Sequence, residues 1–154
     1  MLRFPEPADA VPVEGDDDVV AAVLSANRVF VAVASRALAR VQPEVTLPQF
    51  RALVLLEGPE TMTVAELADA LGVVPSTASR MADRLVARKL IRRSPDTANR
   101  RQVQLRLSAA GRRLIEQSTR GRRREITRLL RAIPKPEQER LAASLRLLVD
   151  AAGR

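Results

Sequence analysis

The chain contains no cysteine and no histidine. The first absence excludes disulfides, thiolate catalysis, cysteine-based zinc sites and thiol redox sensing. The second removes the commonest general base and metal ligand. There is no Trp or Tyr, and Phe4, Phe30 and Phe50 are the only aromatic residues. Single-strand binding by base stacking on aromatic platforms is therefore not expected. There is also no glycine-rich phosphate loop and no cluster of carboxylates. Enzyme chemistry is the least expected class, and neither a cofactor nor a metal site is expected. The start, Met1 to Asp18, is proline-rich and acidic, unlike a signal peptide. No apolar run approaching the ~20 residues of a membrane span is expected, so the reading is cytoplasmic.

What the chain does have is arginine. It has 154 residues, a net charge of +8 and 46% hydrophobic residues. That suits one domain, or one dimer-forming unit, with a buried core. Only Lys89 and Lys135 are lysines. Arginine forks match phosphate bidentately, which points to a polyanion and to nucleic acid ahead of membrane. The charge is uneven. Residues 1–18 carry one base and six acids, net −5, and the remainder is +13. With Pro5, Pro7 and Pro12, residues 1–18 read as an acidic disordered arm.

Periodicity organises the rest. Val20, Val23, Leu24, Asn27, Phe30, Val31, Ala34, Leu38 and Val41 step by threes and fours, predicting a helix from about Val19 to Val41. Thr46-Leu47-Pro48-Gln49 is a capping box opening a second helix, with Phe50, Leu53, Val54 and Leu56 inward. Thr63-Val64-Ala65-Glu66 is another, opening a short helix that Gly72 stops. Pro75 starts a fourth helix, to about Arg88, with Ala78, Met81, Ala82 and Leu85 buried. Two short helices joined by a tight glycine turn are the helix-turn-helix signature. The period then changes to two. Leu90-Ile91-Arg92-Arg93 and Val103-Gln104-Leu105-Arg106-Leu107 read as the strands of a β-hairpin wing. Ser108 caps a long helix ending at Pro134, whose middle, Glu116 to Glu125, lacks large apolar residues and is expected to be exposed or to pass between subdomains. A last helix carries Leu141, Leu145, Leu148 and Val149. The fold class expected is mainly α with a small β-hairpin wing. A winged helix-turn-helix lobe spans 46–107, and a helical dimerisation region spans 19–45 and 108–154.

This order of elements resembles the MarR family of regulators. The match is densest at Ala65-Glu66-Leu67-Ala68, Leu71-Gly72-Val73, and Ser76-Thr77-Ala78-Ser79-Arg80-Met81-Ala82-Asp83-Arg84-Leu85. It continues through Leu90-Ile91-Arg92-Arg93 and Leu107-Ser108-Ala109-Ala110-Gly111. The resemblance implies a homodimeric winged helix-turn-helix transcription regulator, dimerised through the first helix and the last two. By family habit it would be a repressor. The sequence departs from the family pattern at Val74, where a side-chain cap is often found, and at Lys89, where glycine is preferred.

Charge placement agrees with this. Residues 80–106 hold nine bases and two acids, net +7. The N-terminal residues of a helix in the major groove reach base edges. Ser76, Thr77, Ser79, Arg80 and Arg84 are the candidate DNA contacts on the fourth helix. Arg80 would fork onto guanine; Ser76 and Thr77 equally suit first-turn capping. At the wing tip, Arg100 and Arg101 are candidates. Arg101 matches the arginine that the family sends into the minor groove, with Asn99 where the family has Asp. Arg120, Arg122, Arg123, Arg124 and Arg128 form a second basic cluster, facing solvent, DNA phosphate, the acidic arm or a partner subunit. The resemblance further implies a small anionic or phenolic ligand, with Phe30, Val33, Phe50, Arg51 and Val54 as candidates. The alternatives ordinary core packing, for the Phe residues, and a carboxylate-holding Arg51 stay open.

The partners expected are double-stranded DNA bearing a pseudo-palindromic operator and a second copy of the chain. Two competing readings are an architectural DNA-binding protein of low specificity and a winged-helix module that binds protein.

Overall fold

The computed structural model describes residues 16–59, 61–95 and 103–153. The acidic arm before Asp16 and the wing tip with Asn99, Arg100 and Arg101 lie outside the described residues. Six helices and three strands follow one another: α1 (Asp16–Val41), α2 (Leu47–Leu55), β1 (Met62–Thr63), α3 (Val64–Leu71), α4 (Pro75–Ala87), β2 (Ile91–Pro95), β3 (Val103–Leu107), α5 (Ala109–Leu130) and α6 (Lys135–Ala152). They divide into two compact units. Of the described residues, one unit holds those up to Val33 together with those from Arg122 onward, and the other those between Ala34 and Gly121.

Local signals account for most boundaries. Both capping boxes form. Gln49 N–H donates to Thr46 Oγ1 while Thr46 N–H donates to Gln49 Oε1. Thr63 N–H donates to Glu66 Oε2 at 2.7 Å, and Glu66 N–H returns to Thr63 Oγ1. These bonds to the charged form hold the Glu66 carboxyl below its ordinary pKa, the backbone bond from Thr63 contributing most. Gly72 sits at φ 69° and closes α3, a left-handed conformation that glycine adopts without steric cost. Thr63–Glu66 and Gly72 thus fix both ends of an eight-residue helix. α4 lacks a side-chain cap at Val74, as its sequence implies, and Lys89 adopts φ 59° just past its end.

The Ala34–Gly121 unit closes its own core. Leu53, Leu67, Ala82, Leu85, Ile91 and Leu105 are all buried in one cluster with Leu38, Phe50, Leu107 and Leu114. β3 is central in the antiparallel sheet β1-β3-β2, with Ile91 opposite Leu107 and Met62 opposite Leu105. Leu105 and Leu107 face the core while Arg106 faces out, as alternation predicts. β1 was not expected; at two residues it has no alternation to read. Gly111 allows α5 to reach this core. A Cβ there would lie 2.3 Å from Leu90 O and 2.7 Å from Leu107 Cδ1.

Several expected faces differ. Val54 is largely exposed, because α2 turns only Phe50, Ala52 and Leu53 with Gln49 inward. Met81 is half-buried. α5 ends at Leu130, short of Pro134; Gln138 Nε2 donates to Leu130 O and Ile133 O across the turn into α6. The middle of α5 is not wholly exposed. Ser118 and Glu125 are buried, and the absent side chain of Gly121 leaves room for Ala37, which a Cβ would meet at 3.2 Å.

Asp17–Val41 is long and apolar enough to cross a membrane by length and composition alone, with a mean hydropathy of 1.5, a test that the core helix of a soluble protein also passes. Arg28 and Arg36 break any unbroken apolar run, but a span tolerates a few charges in its composition. The predicted stripe of α1 is open in the single chain: Val20, Val23, Leu24, Phe30 and Val31 are exposed, whereas Val33, Ala37 and Leu38 are buried.

Candidate nucleic-acid interface

α3 and α4 form the helix-turn-helix. Val73 N–H donates to Ala68 O, and Gly72 N–H to Asp69 O, so the chain turns tightly out of α3. Pro75 then opens α4, where its missing N–H costs nothing. Ala78, Ala82 and Leu85 anchor one face of α4 in the core. The opposite face carries Ser76, Arg80 and Arg84, all exposed, and Thr77 is half-buried. Arg80 Nη2 donates to Thr77 Oγ1 at 3.5 Å. Among the described residues neither Arg80 nor Arg84 pairs with a carboxylate. Two uncompensated guanidiniums one turn apart are suited to phosphate or guanine.

Ser79 is placed differently from its helix neighbours. Arg93 on β2 donates from Nη2 to Ser79 O at 3.2 Å and to Ser79 Oγ at 3.5 Å. Its Nη1 also pairs with Asp83 at 2.7 Å. Arg93 therefore ties the wing to the recognition helix and occupies the hydroxyl that the sequence suggested for DNA. Fourteen residues separate Ser79 from Arg93, so no helical or strand spacing links them in the sequence.

α2 contributes as well. Thr46, Gln49, Thr77, Arg80, Met81 and Arg84 line a cavity of about 290 Å³ beside the recognition helix. Thr46 and Gln49 were expected only as a cap. Their capping role requires the N-terminus of α2, and the fold brings that terminus against α4.

The ligand candidates lie in varied surroundings. Phe50 is buried in the core cluster, and Val54 is exposed. Arg51 lines a cavity of about 390 Å³ with Leu47, Pro48, Leu71, Val73 and Met81. Phe30 is exposed on α1 and Val33 is buried. Arg100 and Arg101 lie outside the described residues. Among those residues no group of His, Cys, Asp or Glu is arranged to hold a metal ion.

Residues 45–103 match the model of the MarR family. The chain is 31% identical over 122 residues to the HTH-type transcriptional repressor MdtR of Bacillus subtilis (strain 168), covering 73% of this chain and 79% of that protein. It is similar in structure to RV1404 from Mycobacterium tuberculosis, with a TM-score of 0.83 and 37% identity over 93% of this chain and 97% of the other. A MarR family protein from Bacillus stearothermophilus matches with a TM-score of 0.72 and 26% identity, over 90% and 98% of the two chains. At the identity and coverage of the match to MdtR, the chain belongs to the MarR family of winged helix-turn-helix transcription regulators.

Proposed function

We propose that the protein is a homodimeric repressor that binds a pseudo-palindromic operator and blocks polymerase there. The observation that carries this reading is the face of α4, where exposed Ser76, Arg80 and Arg84 stand clear of any carboxylate among the described residues. Arg80 reads guanine, and Arg84 meets a base or phosphate one turn on. Arg101 enters the minor groove and Arg100 meets phosphate. The protein works by binding, without catalysis.

Dimerisation is supported by what the single chain leaves uncovered. α6 has no buried residue, and Leu147 and Val149 are 71% and 68% exposed. A second copy covers these residues and the stripe of α1. A membrane is the poorer cover for α1, because Arg28 would lie near the middle of the span, at a cost of about 2.5–3.5 kcal/mol. The protein accordingly acts in the cytoplasm. A small anionic or phenolic ligand relieves repression by changing the spacing of the two reading heads. Arg51, beside the apolar side chains of its cavity, is the candidate that would hold a carboxylate.

Selection of bound duplexes from a random pool tests the reading. The expected product is a pseudo-palindrome with half-sites about one helical turn apart. Binding should fall steeply between low and moderate salt. Equal affinity for selected and random duplexes would instead favour an architectural protein, and loss of the salt dependence a protein-binding module.

A further inference from the structure

A second basic concavity lies away from the exposed face of α4. It is a cavity of about 570 Å³ where the end of α4, the start of β2 and the start of α5 meet. Lys89, Arg92 and Arg113 line it, and none of the three pairs with a carboxylate among the described residues. Arg93 also lines it but is held by Asp83. Three cations without a carboxylate partner among the described residues, from the turn after α4, from β2 and from α5, therefore line one hollow.

The hollow is also braced. Ser108 Oγ donates to Lys89 O at 2.7 Å, and Ser108 N–H donates to Leu90 O at 3.0 Å. Ser108 thereby fixes the start of α5 against the turn that leaves α4. Ser108 Oγ accepts Gly111 N–H, and Ser108 O accepts Arg112 N–H. Of the first four N–H groups of α5, those of Ala109 and Ala110 remain without a helical partner, and both residues line the cavity. Donors of one sign thus surround a hollow that offers no carboxylate among its lining residues. Lys89 and Ser76 are thirteen residues apart, about 20 Å along the helix direction at 1.5 Å per residue. An anion in the hollow would not compete for the reading end of α4.

We propose that this cavity binds a small phosphorylated anion carrying two or more negative charges. Lys89, Arg92 and Arg113 hold the phosphate oxygens, and Val86, Ala109 and Ala110 leave room for a compact organic portion. The cavity falls within the size range of small-molecule sites. With no aromatic side chain in its lining, recognition rests on charge and not on ring stacking.

Calorimetric titration of the full chain with inorganic pyrophosphate tests this. Saturable binding is expected, tighter than that of inorganic phosphate. Arg113→Gln and Lys89→Gly should each weaken it about tenfold, the scale of one charge-assisted bond. Arg124→Gln, which removes a charge on α5 outside the cavity, should leave it within about twofold. Lys89→Gly should at the same time raise the melting temperature, because glycine relieves the left-handed backbone. Weakened binding in a more stable protein separates loss of a ligand contact from loss of fold. The proposal is overturned if pyrophosphate fails to saturate at millimolar concentration, or if Arg124→Gln weakens binding as much as Arg113→Gln. It is also overturned if Arg113→Gln leaves pyrophosphate binding intact yet lowers the salt slope of duplex binding by about one, since the hollow then seats a phosphate of the DNA backbone.

Discussion

The Ala34–Gly121 unit and the unit built from the residues up to Val33 with Arg122–Arg154 solve the burial problem differently. The first fills its own interior with Leu53, Leu67, Leu85, Ile91 and Leu105, all essentially without solvent contact. The second leaves Val20, Leu24, Phe30, Leu147 and Val149 exposed. Both have similar local grammar, with apolar residues every three or four positions. Periodicity announces that a face will be buried; it does not say in which chain the cover resides. A helix-turn-helix lobe with its own core keeps its reading surface when the other unit's surroundings change. A unit with an open apolar face answers to association.

The largest effect that would sharpen this contrast is on α6. Leu145→Asp with Leu148→Asp places two carboxylates on the proposed association surface. The lost apolar burial and the unpaired charges should together cost at least about 3 kcal/mol, or more than a hundredfold in association. Sedimentation should give a folded monomer, and operator binding should fall with it. A stable dimer in the double variant would move the association surface elsewhere.

Next in size is Gly111→Ala, which acts inside the self-contained core. The new Cβ meets a backbone oxygen, Leu90 O, that cannot step aside as a flexible side chain would. The expected loss is about 1–3 kcal/mol, read from the urea midpoint. Gly121→Ala is the milder counterpart, since its nearest contact is Ala37 Cβ at 3.2 Å and the Ala37 backbone lies no nearer than 3.7 Å. Equal losses in the two variants would mean that the α5 start is less tightly packed than the Leu90 contact implies.

Thr63→Ala should cost about 1 kcal/mol by removing the cap of α3. It should also reduce, without removing, a pH dependence, because the hydroxyl bond to Glu66 is lost while the larger backbone N–H bond from residue 63 is kept. The Glu66 pKa is lowered in the folded chain, so its contribution is fully present above the ordinary value of 4.5 and is lost as pH falls through the lowered folded value. Stability measured across that acid window should therefore fall less steeply in Thr63→Ala than in the parent protein.

What was legible in the sequence follows the range of each interaction. Caps act over three residues, so Thr46–Gln49 and Thr63–Glu66 are visible in one dimension, as is the stop at Gly72. The strand β3 is visible because its alternation lasts five residues. β1 is not, because pairing of Met62 with Leu105 is a property of the folded sheet. The same limit applies to the candidate interface. Arg80 and Arg84 follow from helical spacing, whereas the approach of Thr46 and Gln49 to them follows from packing of α2 on α4. Burial in the middle of α5 was legible only as one of two alternatives, because packing there uses small residues, Gly121 and Ala37, and not large apolar ones.

The smallest effect concerns Ser79, where sequence and geometry assign different partners. Arg93 holds Asp83 at 2.7 Å and also reaches Ser79 O and Oγ. The Arg93 and Asp83 side chains are 31% and 58% exposed, so solvent screens the pair and its expected worth is about 0.2–1 kcal/mol. Asp83→Asn should lower stability by that amount at low salt and by less at high salt. Ser79→Ala should cost less than about 0.5 kcal/mol, because Arg93 keeps Asp83 and the Ser79 carbonyl. On DNA the two residues part company. If Ser79 serves only as an anchor for Arg93, Ser79→Ala should alter affinity for all duplexes to the same small extent. A loss confined to the best site, relaxing one position in each half-site, would show that the hydroxyl leaves Arg93 to read a base. The wing strand would then be tied to α4 in the complex by Asp83 and the Ser79 carbonyl, and Asp83→Asn should weaken DNA binding by more than its small cost to the stability of the free protein.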